Sequence, residues 1–236
     1  MRNICIIGNG IIGMMTSLLL AKYFKNVYLI IGNQLNKEQG QVERHFSINL
    51  LSQYMFLKTD IWQNLISNGT QNYNKIVTWD EDISEDLVFQ SSSISYDNLG
   101  YIISESKIKE SLTTKIEQAT KIKKINITEI RKIQVDDEIT TLRLCNGEKI
   151  SCDLLLNSDA KMSQLLGISS PEKITIDYEQ KALVMNLNML STIKSDTAFQ
   201  RFSKGHIQGL LPISNNMYNL IWSADNTFID DLKHKD

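Results

Sequence analysis

Six residues near the amino terminus, Gly8-Asn9-Gly10-Ile11-Ile12-Gly13, carry the clearest chemical signal in the chain. Three glycines spaced Gly-x-Gly-x-x-Gly suit a backbone that must come close to a pyrophosphate. The first permits a tight turn, the second leaves room for phosphate oxygens, and the third lets a helix pack close to a strand. Asn9, Ile11 and Ile12 supply the backbone between them and belong to the same candidate site. The N–H groups that open the following helix have no partner within it and sit at the positive end of its dipole, so they would face the anion. The spacing is weak by itself and gains weight only between a strand and a helix. The competing reading is a glycine turn with a purely structural purpose.

The required context is present. Residues 3–7 (NICII) read as a short buried strand, residues 11–23 as an apolar helix, and residues 27–31 (VYLII) as a second strand apolar on both faces. Two parallel buried strands joined by a helix form a βαβ unit. An Asp or Glu is expected at the end of the second strand, where it would bond the ribose hydroxyls. The residues there are Ile30, Ile31 and Gly32, with Asn33 or Gln34 as weak substitutes.

Other reactive residue types give less. Cys5, Cys145 and Cys152 form no Cys-x-x-Cys or Cys/His spacing, which suits buried structural thiols in a reducing compartment. His45, His206 and His234 stand apart from one another and from acidic partners, so no metal is predicted. Trp62 lies on the apolar stripe of a predicted helix and Trp222 inside a predicted strand, which favours core packing over substrate stacking. The acidic runs Asp80-Glu81-Asp82 and Asp136-Asp137-Glu138 read as solvated loops. A net charge of −2 with scattered basic residues argues against a nucleic-acid partner. With 42% hydrophobic and 22% charged residues the chain is neither disordered nor fibrous. The apolar stretch from Ile4 to Leu20 is broken by glycines and has no small-x-small cleavage site, so it reads as strand-turn-helix rather than an export signal.

Farther along, residues 41–69 have helical spacing and close at Asn68-Gly69. YNKIVTW and LVFQSSSISY read as strands on either side of an acidic loop, and Glu105 to Thr120 as a polar amphipathic helix. KINITEIRKIQV, TTLRLCNG and KISCDLLLNS follow as β-runs. Beyond Pro171, three longer β-runs suggest a mostly antiparallel sheet, and the chain closes in a polar tail, DDLKHKD.

A wider pattern joins these pieces. The glycine turn, the stretch Arg44 to Trp62, the segment Leu99-Gly100-Tyr101-Ile102-Ile103 and the run Asp153 to Leu166 come in the order found in flavoprotein hydroxylases of the p-hydroxybenzoate hydroxylase type. Tyr178-Glu179-Gln180-Lys181-Ala182, AFQRF at 198–202, GLLPI at 209–213 and LIWS at 220–223 resemble the ubiquinone-biosynthesis branch, the 2-polyprenylphenol and 2-octaprenyl-6-methoxyphenol hydroxylases. In that family an Asp-Gly pair followed by a Ser and an Arg contacts the flavin. The matching residues here are Asp159-Ala160, Ser163 and Leu166, so the Asp and Ser are kept and the Gly and Arg are not. Arg44 stands where the family places an arginine that approaches the flavin, ahead of a helix lining the cofactor cleft; a surface arginine at a helix start is the alternative.

The resemblance implies an α/β fold: a Rossmann-like three-layer FAD-binding domain over residues 1–72 and 99–170, interleaved with a mostly antiparallel β-sheet substrate domain over 73–98 and 171–236. It implies FAD as cofactor, NAD(P)H as reductant, and hydroxylation of a polyprenylated phenol or quinone precursor with O2. No side chain then need act as acid or base, because the hard chemistry belongs to the cofactor. Family members carry a further segment with a Gly-Asp motif and a proline-glycine-rich loop at the flavin, and neither is found in these 236 residues. A second polypeptide supplying that segment is therefore an implied partner, beside a cytoplasmic location with peripheral association at the inner membrane. Two other readings stay open: a flavoprotein remnant that binds or assembles without catalysis, and a nicotinamide-dependent dehydrogenase of simple Rossmann type.

Overall fold

The computed structural model describes residues 2–32, 42–67, 70–127, 130–136, 138–159, 176–190 and 196–233. Asn33, Gln34, Asn68-Gly69, Asp137, Ala160, Ser163, Leu166, Pro171 and His234, all singled out above, lie outside the described residues. The chain divides into two units: Met1–Gln39, Phe56–Trp62 and Ile108–Lys173 form one, and Gly40–Met55, Gln63–Lys107 and Ile174–Asp236 form the other.

The first unit is built on a parallel sheet of four strands in the order β12-β1-β2-β8, with β1 at Asn3–Ile7, β2 at Asn26–Gly32, β8 at Ile122–Ile127 and β12 at Leu154–Asn157. All three pairings are parallel. A strand with neighbours on both sides and layers on both faces must be apolar where it is buried, and residues 4–7 of β1 meet that need. Ile4, Ile6 and Ile7 are completely buried. At about 1.5–3 kcal/mol for each such side chain, this burial outweighs the roughly 0.5–1 kcal/mol entropic cost of ordering each nearby glycine. Helix α1 (Ile11–Leu20) buries Gly13, Met14, Ser17 and Leu18. Helix α4 (Glu105–Glu117) adds the buried Ile108, Leu112 and Ile116. On the other face, a three-stranded antiparallel sheet of β9 (Ile130–Val135), β10 (Thr140–Leu144) and β11 (Lys149–Cys152) closes a core of Cys5, Ile7, Ile30, Ile127, Leu142 and Ile150, among others. Helices, parallel sheet and antiparallel sheet make the three layers.

The second unit holds a six-stranded sheet in the order β13-β16-β15-β14-β5-β6. Its strands are β5 (Lys75–Asp80), β6 (Leu87–Gln90), β13 (Gln180–Asn188), β14 (Thr197–Ser203), β15 (His206–Ser214) and β16 (Met217–Asp225). Every pairing is antiparallel except β14 with β5, which join in parallel and bring residues 75–80 beside residues 197–202. A smaller antiparallel sheet orders β3 (His45–Asn49), β7 (Gly100–Ser104) and β4 (Gln71–Tyr73). The fold is thus mixed α/β, with a parallel Rossmann-like sheet and antiparallel sheets.

Three local expectations need correction. Residues 45–49, expected to be helical, form β3, because Ile48 is buried and the whole segment pairs with β7 more than fifty residues away. Helix α2 (Leu50–Lys58) begins only afterwards, where the Asn49 side chain accepts a hydrogen bond from Ser52 N at 2.8 Å; α3 spans Trp62–Ile66. In LVFQSSSISY, β6 ends at Gln90 and Ser91–Ile94 form a 3-10 turn, closed by Ser95 in the left-handed region at φ 57°. The polar tail is helical as far as it is described, in α5 (Asn226–Lys233). Asp225 Oδ1 caps it by accepting from Phe228 N at 2.9 Å, and Ile229 is fully buried.

Candidate nucleotide-binding site

Each glycine of the turn between β1 and α1 answers a different constraint. Gly8 has φ +110°, and a Cβ there would lie 2.6 Å from Ser158 Oγ and 3.1 Å from Asp159 Cβ. A Cβ at Gly13 would lie 2.0 Å from the Gly8 carbonyl oxygen, so the helix can approach the turn only with glycine at that position. Gly10 is unlike both. It is exposed, its backbone is ordinary (φ −70°, ψ 171°), and a Cβ would meet nothing within 4 Å. Nothing in the fold demands glycine at Gly10, and the space beside it is open to a ligand.

Ile11, Ile12 and Gly13 form the first turn of α1, which has neither a side-chain cap nor an acidic residue. Their backbone N–H groups are those a helix leaves unpaired at its start. Asn9, half-buried, bridges the two glycines. The turn is pinned from beneath by Gly8 N donating to Ile30 O at 3.0 Å.

Asp159 is brought to this turn, as its distance from Gly8 shows. Its neighbour Ser158, which the sequence reading passed over, does the anchoring. Both Ser158 N and Ser158 Oγ donate to Ile7 O, at 2.9 and 2.8 Å, and the hydroxyl sits against both Gly8 and Gly13. The signal lay in strand register. Ile7 pairs with Asn157, the last residue of β12, so the residue that follows the strand meets the glycine turn. Asp159 N donates to Asn157 Oδ1 at 3.0 Å, which turns the chain there.

At the end of β2, Ile30 points into the core with Cys5 and Leu142, whereas Ile31 is half-buried on the helical face. Ile31 is therefore the residue at the position where a ribose-binding acid is expected. It lines a mostly apolar cavity of about 290 Å³ together with Met14, Leu29, Ile116, Lys109, Thr113 and Lys124, among others.

Arg44 belongs to the second unit. It precedes strand β3 rather than a helix, and its guanidinium is committed: Nε donates to Glu105 Oε2 at 2.6 Å and Nη2 lies 2.5 Å from the same oxygen. The carboxylate is only 9% exposed against 67% for the arginine side chain. Phe46 lies beneath the cation, 5.9 Å from ring centroid to Cζ. Next to it, His45 Nδ1 is 3.1 Å from Glu43 O, and burial lowers the His45 pKa despite the opposing pull of Glu43.

The same unit has a cavity of about 320 Å³ on the six-stranded sheet, lined by Ser47, Tyr73, Phe199, Gln200, Leu211 and Ser223, among others. Its walls are mostly apolar, and beside Gln200 and Ser223 they carry the Ser47 Oγ to Tyr73 OH hydrogen bond of 2.7 Å. Trp62 is buried, and Trp222 packs on Phe228 and donates from Nε1 to His206 Nδ1 at 3.2 Å. Cys5 and Cys152 are buried, and their mutual hydrogen bond together with burial pushes the Cys5 thiol up, away from reactivity. Among the described residues no group of three or more His, Cys, Asp or Glu is placed to hold a metal, and no helix is long and apolar enough to cross a membrane.

No family model matches the chain. In sequence it is similar to the ubiquinone biosynthesis monooxygenase COQ6 of Dictyostelium discoideum, 26% identical over 262 residues that cover 94% of this chain and 52% of that protein. The Caenorhabditis elegans protein of the same name is 25% identical over 173 residues, covering 72% of this chain and 38% of its own length. The chain thus spans about half or less of the curated relatives it matches. In structure it is similar to PqsL of Pseudomonas aeruginosa, with a TM-score of 0.73, 15% identity, and coverage of 98% of this chain and 62% of that one. The parallel sheet with its glycine turn and the six-stranded sheet are both included in that overlap, so the chain has the fold of FAD-dependent monooxygenases and a sequence similar to the ubiquinone biosynthesis monooxygenases.

Proposed function

We propose that this chain is a flavin-dependent monooxygenase-like protein of ubiquinone biosynthesis, whose glycine turn holds the pyrophosphate of FAD. The observation that carries the reading is Gly10: an exposed glycine, free of any steric demand from the fold, beside an uncapped helix start. A pyrophosphate fits there, accepting from the first-turn N–H groups of α1, with Asn9, Gly8 and Gly13 shaping the turn. Asp159, fixed beside Gly8 by Ser158, supplies a second polar contact to the cofactor. When bound and reduced by NAD(P)H, FAD supplies the activation of O2 that hydroxylates an aromatic ring.

The chain's own residues bind and orient. The cavity at Ser47 and Tyr73 excludes water from an aromatic ring through its apolar walls and offers a hydroxyl pair to a phenolic oxygen. The Arg44–Glu105 pair fixes the start of β3, from which Ser47 projects. The substrate class, a polyprenylated phenol, follows from the resemblance to the ubiquinone-biosynthesis hydroxylases, with which the relatives' names agree, and such a tail would draw the protein peripherally to a membrane. Because the chain spans half or less of those relatives, we assign the remaining flavin contacts to sequence beyond the match, in the same protein or a second polypeptide.

Purification of the chain followed by flavin absorbance and titration with FAD tests the reading. Saturable FAD binding that Gly10→Val abolishes supports it; no FAD binding at all sinks it. Ile31 in place of a carboxylate favours one rival, a non-catalytic flavoprotein remnant. That rival predicts FAD binding without FAD-dependent consumption of NAD(P)H and O2 even when the second half of a relative is supplied.

A further inference from the structure

Glycine suits the middle of a strand badly, because it brings no side chain to pack and gives up more backbone freedom than any other residue. Gly209 nevertheless stands inside β15, paired with Gln200 of β14 on one side and Ile221 of β16 on the other. The usual local reasons for such a glycine do not apply. Its φ is not positive, and the irregularity in the ladder falls at Pro212 to Ser214 instead. Among the described residues, the atom nearest to a Cβ at Gly209 would be Ile221 O at 4.0 Å, an ordinary contact. What Gly209 borders is the cavity of about 320 Å³ on the six-stranded sheet.

That cavity has a direction along β15. Ile207, Gly209 and Leu211 fall on the same face of the strand, each about 6.8 Å from the next, and all three line the cavity. Leu211 packs on the cluster that holds Tyr73, whose hydroxyl meets Ser47 Oγ. Ile207, at the other end, is 40% exposed. Gly209 thus lies between the hydroxyl pair and the open end. A phenol whose oxygen meets that pair lays the far side of its ring towards the bare backbone of Gly209.

We infer that Gly209 is a specificity-determining residue of this cavity: the space beside it admits a phenol that carries an apolar substituent on the side away from its hydroxyl. Ile207 and Ile221 supply the apolar contacts for that substituent. A side chain at Gly209 would narrow the cavity to the unsubstituted ring. The inference rests on the phenol-cavity reading proposed above and deepens it by naming the residue that sets substrate size.

The test is calorimetric titration of the 236-residue chain with phenol and with 4-propylphenol, beside thermal melts without ligand. Burial of the propyl group should make 4-propylphenol about tenfold tighter. Gly209→Val should weaken 4-propylphenol by roughly ten- to a hundredfold and phenol by no more than about twofold, because the branched side chain takes the substituent's space. The same change should raise the melting temperature by roughly 1–4 °C, since valine suits a strand better than glycine. Gly209→Ala should follow both trends with smaller amplitude, and it decides the matter if the valine variant does not fold. Ser47→Ala should weaken the two phenols alike, which ties the titrations to this cavity. An affinity ratio that neither Gly209 variant changes, or a melting temperature that falls in both, would overturn the inference and leave the phenol cavity standing. Failure of the unaltered chain to bind either compound, or binding indifferent to Ser47→Ala, would overturn both.

Discussion

Glycines at neighbouring positions of one turn do different work, and substitution separates them. Gly10→Val should abolish FAD binding and leave the melting temperature nearly unchanged, because its side chain enters open space; surface changes of that kind stay within about 0.5 kcal/mol. Gly13→Ala should instead destabilise the fold by about 1–3 kcal/mol or more in urea denaturation, since its methyl group would press on the Gly8 carbonyl. A Gly10→Val protein that keeps its FAD affinity would remove the turn from the site. Ile31→Glu should strengthen adenosine binding by roughly ten- to a hundredfold through a charge-assisted hydrogen bond to the diol, which titration with ADP measures. No gain would show that Ile31 is not at the ribose. The three glycines and Ile31 were all legible in the sequence, because a spacing motif and the end of a predicted strand locate them. Ser158 was not, because its importance comes from the pairing of β12 with β1, some 150 residues apart.

Arg44, Glu105 and His45 act on how elements begin. An exposed arginine holds a nearly buried carboxylate at the junction of β3 and α4. Arg44→Ala should therefore cost about 1–3 kcal/mol by stranding Glu105 in a dry environment, and Glu105→Gln in the same chain should recover part of that loss. Urea midpoints of the two single variants and the double variant decide it; additive losses would show that the pair is not coupled. His45 has its pKa lowered by burial, so the unfolded chain binds its proton more readily than the folded one. Its contribution to stability is present above the unfolded value of about 6.5 and is lost as pH falls from there towards the folded value. His45→Gln should flatten the stability profile in that window, and an unchanged slope would exclude His45 as its source. Strand β3 itself was hidden from local reading. Its five residues fit a helical pattern as well as an extended one, and only the distant partner β7 resolves the ambiguity.

At the scale of the whole chain, contact arithmetic sets the expected behaviour. Of the elements proposed to hold a flavin, this chain has the glycine turn and Asp159 beside it, and it has Ile31 where a ribose acid is expected. The 236-residue chain should therefore bind FAD weakly and show little coupled NAD(P)H consumption by itself, with both rising when the second half of a relative is supplied. Stoichiometric yellow protein with full turnover from this chain alone would refute that expectation. Local signals in the sequence carry the βαβ start and the α/β class, because apolar periodicity and glycine punctuation are read from neighbouring residues. The sequence by itself also determined that no acid ends β2. Only the tertiary structure decided that β5 joins β14 in parallel, that α5 buries Ile229, that Ser158 anchors the glycine turn, and that Lys109 and Lys124 share a cavity with Ile31. Those facts depend on strand order and register, which are set by how distant apolar faces bury one another rather than by any residue's neighbours in the chain.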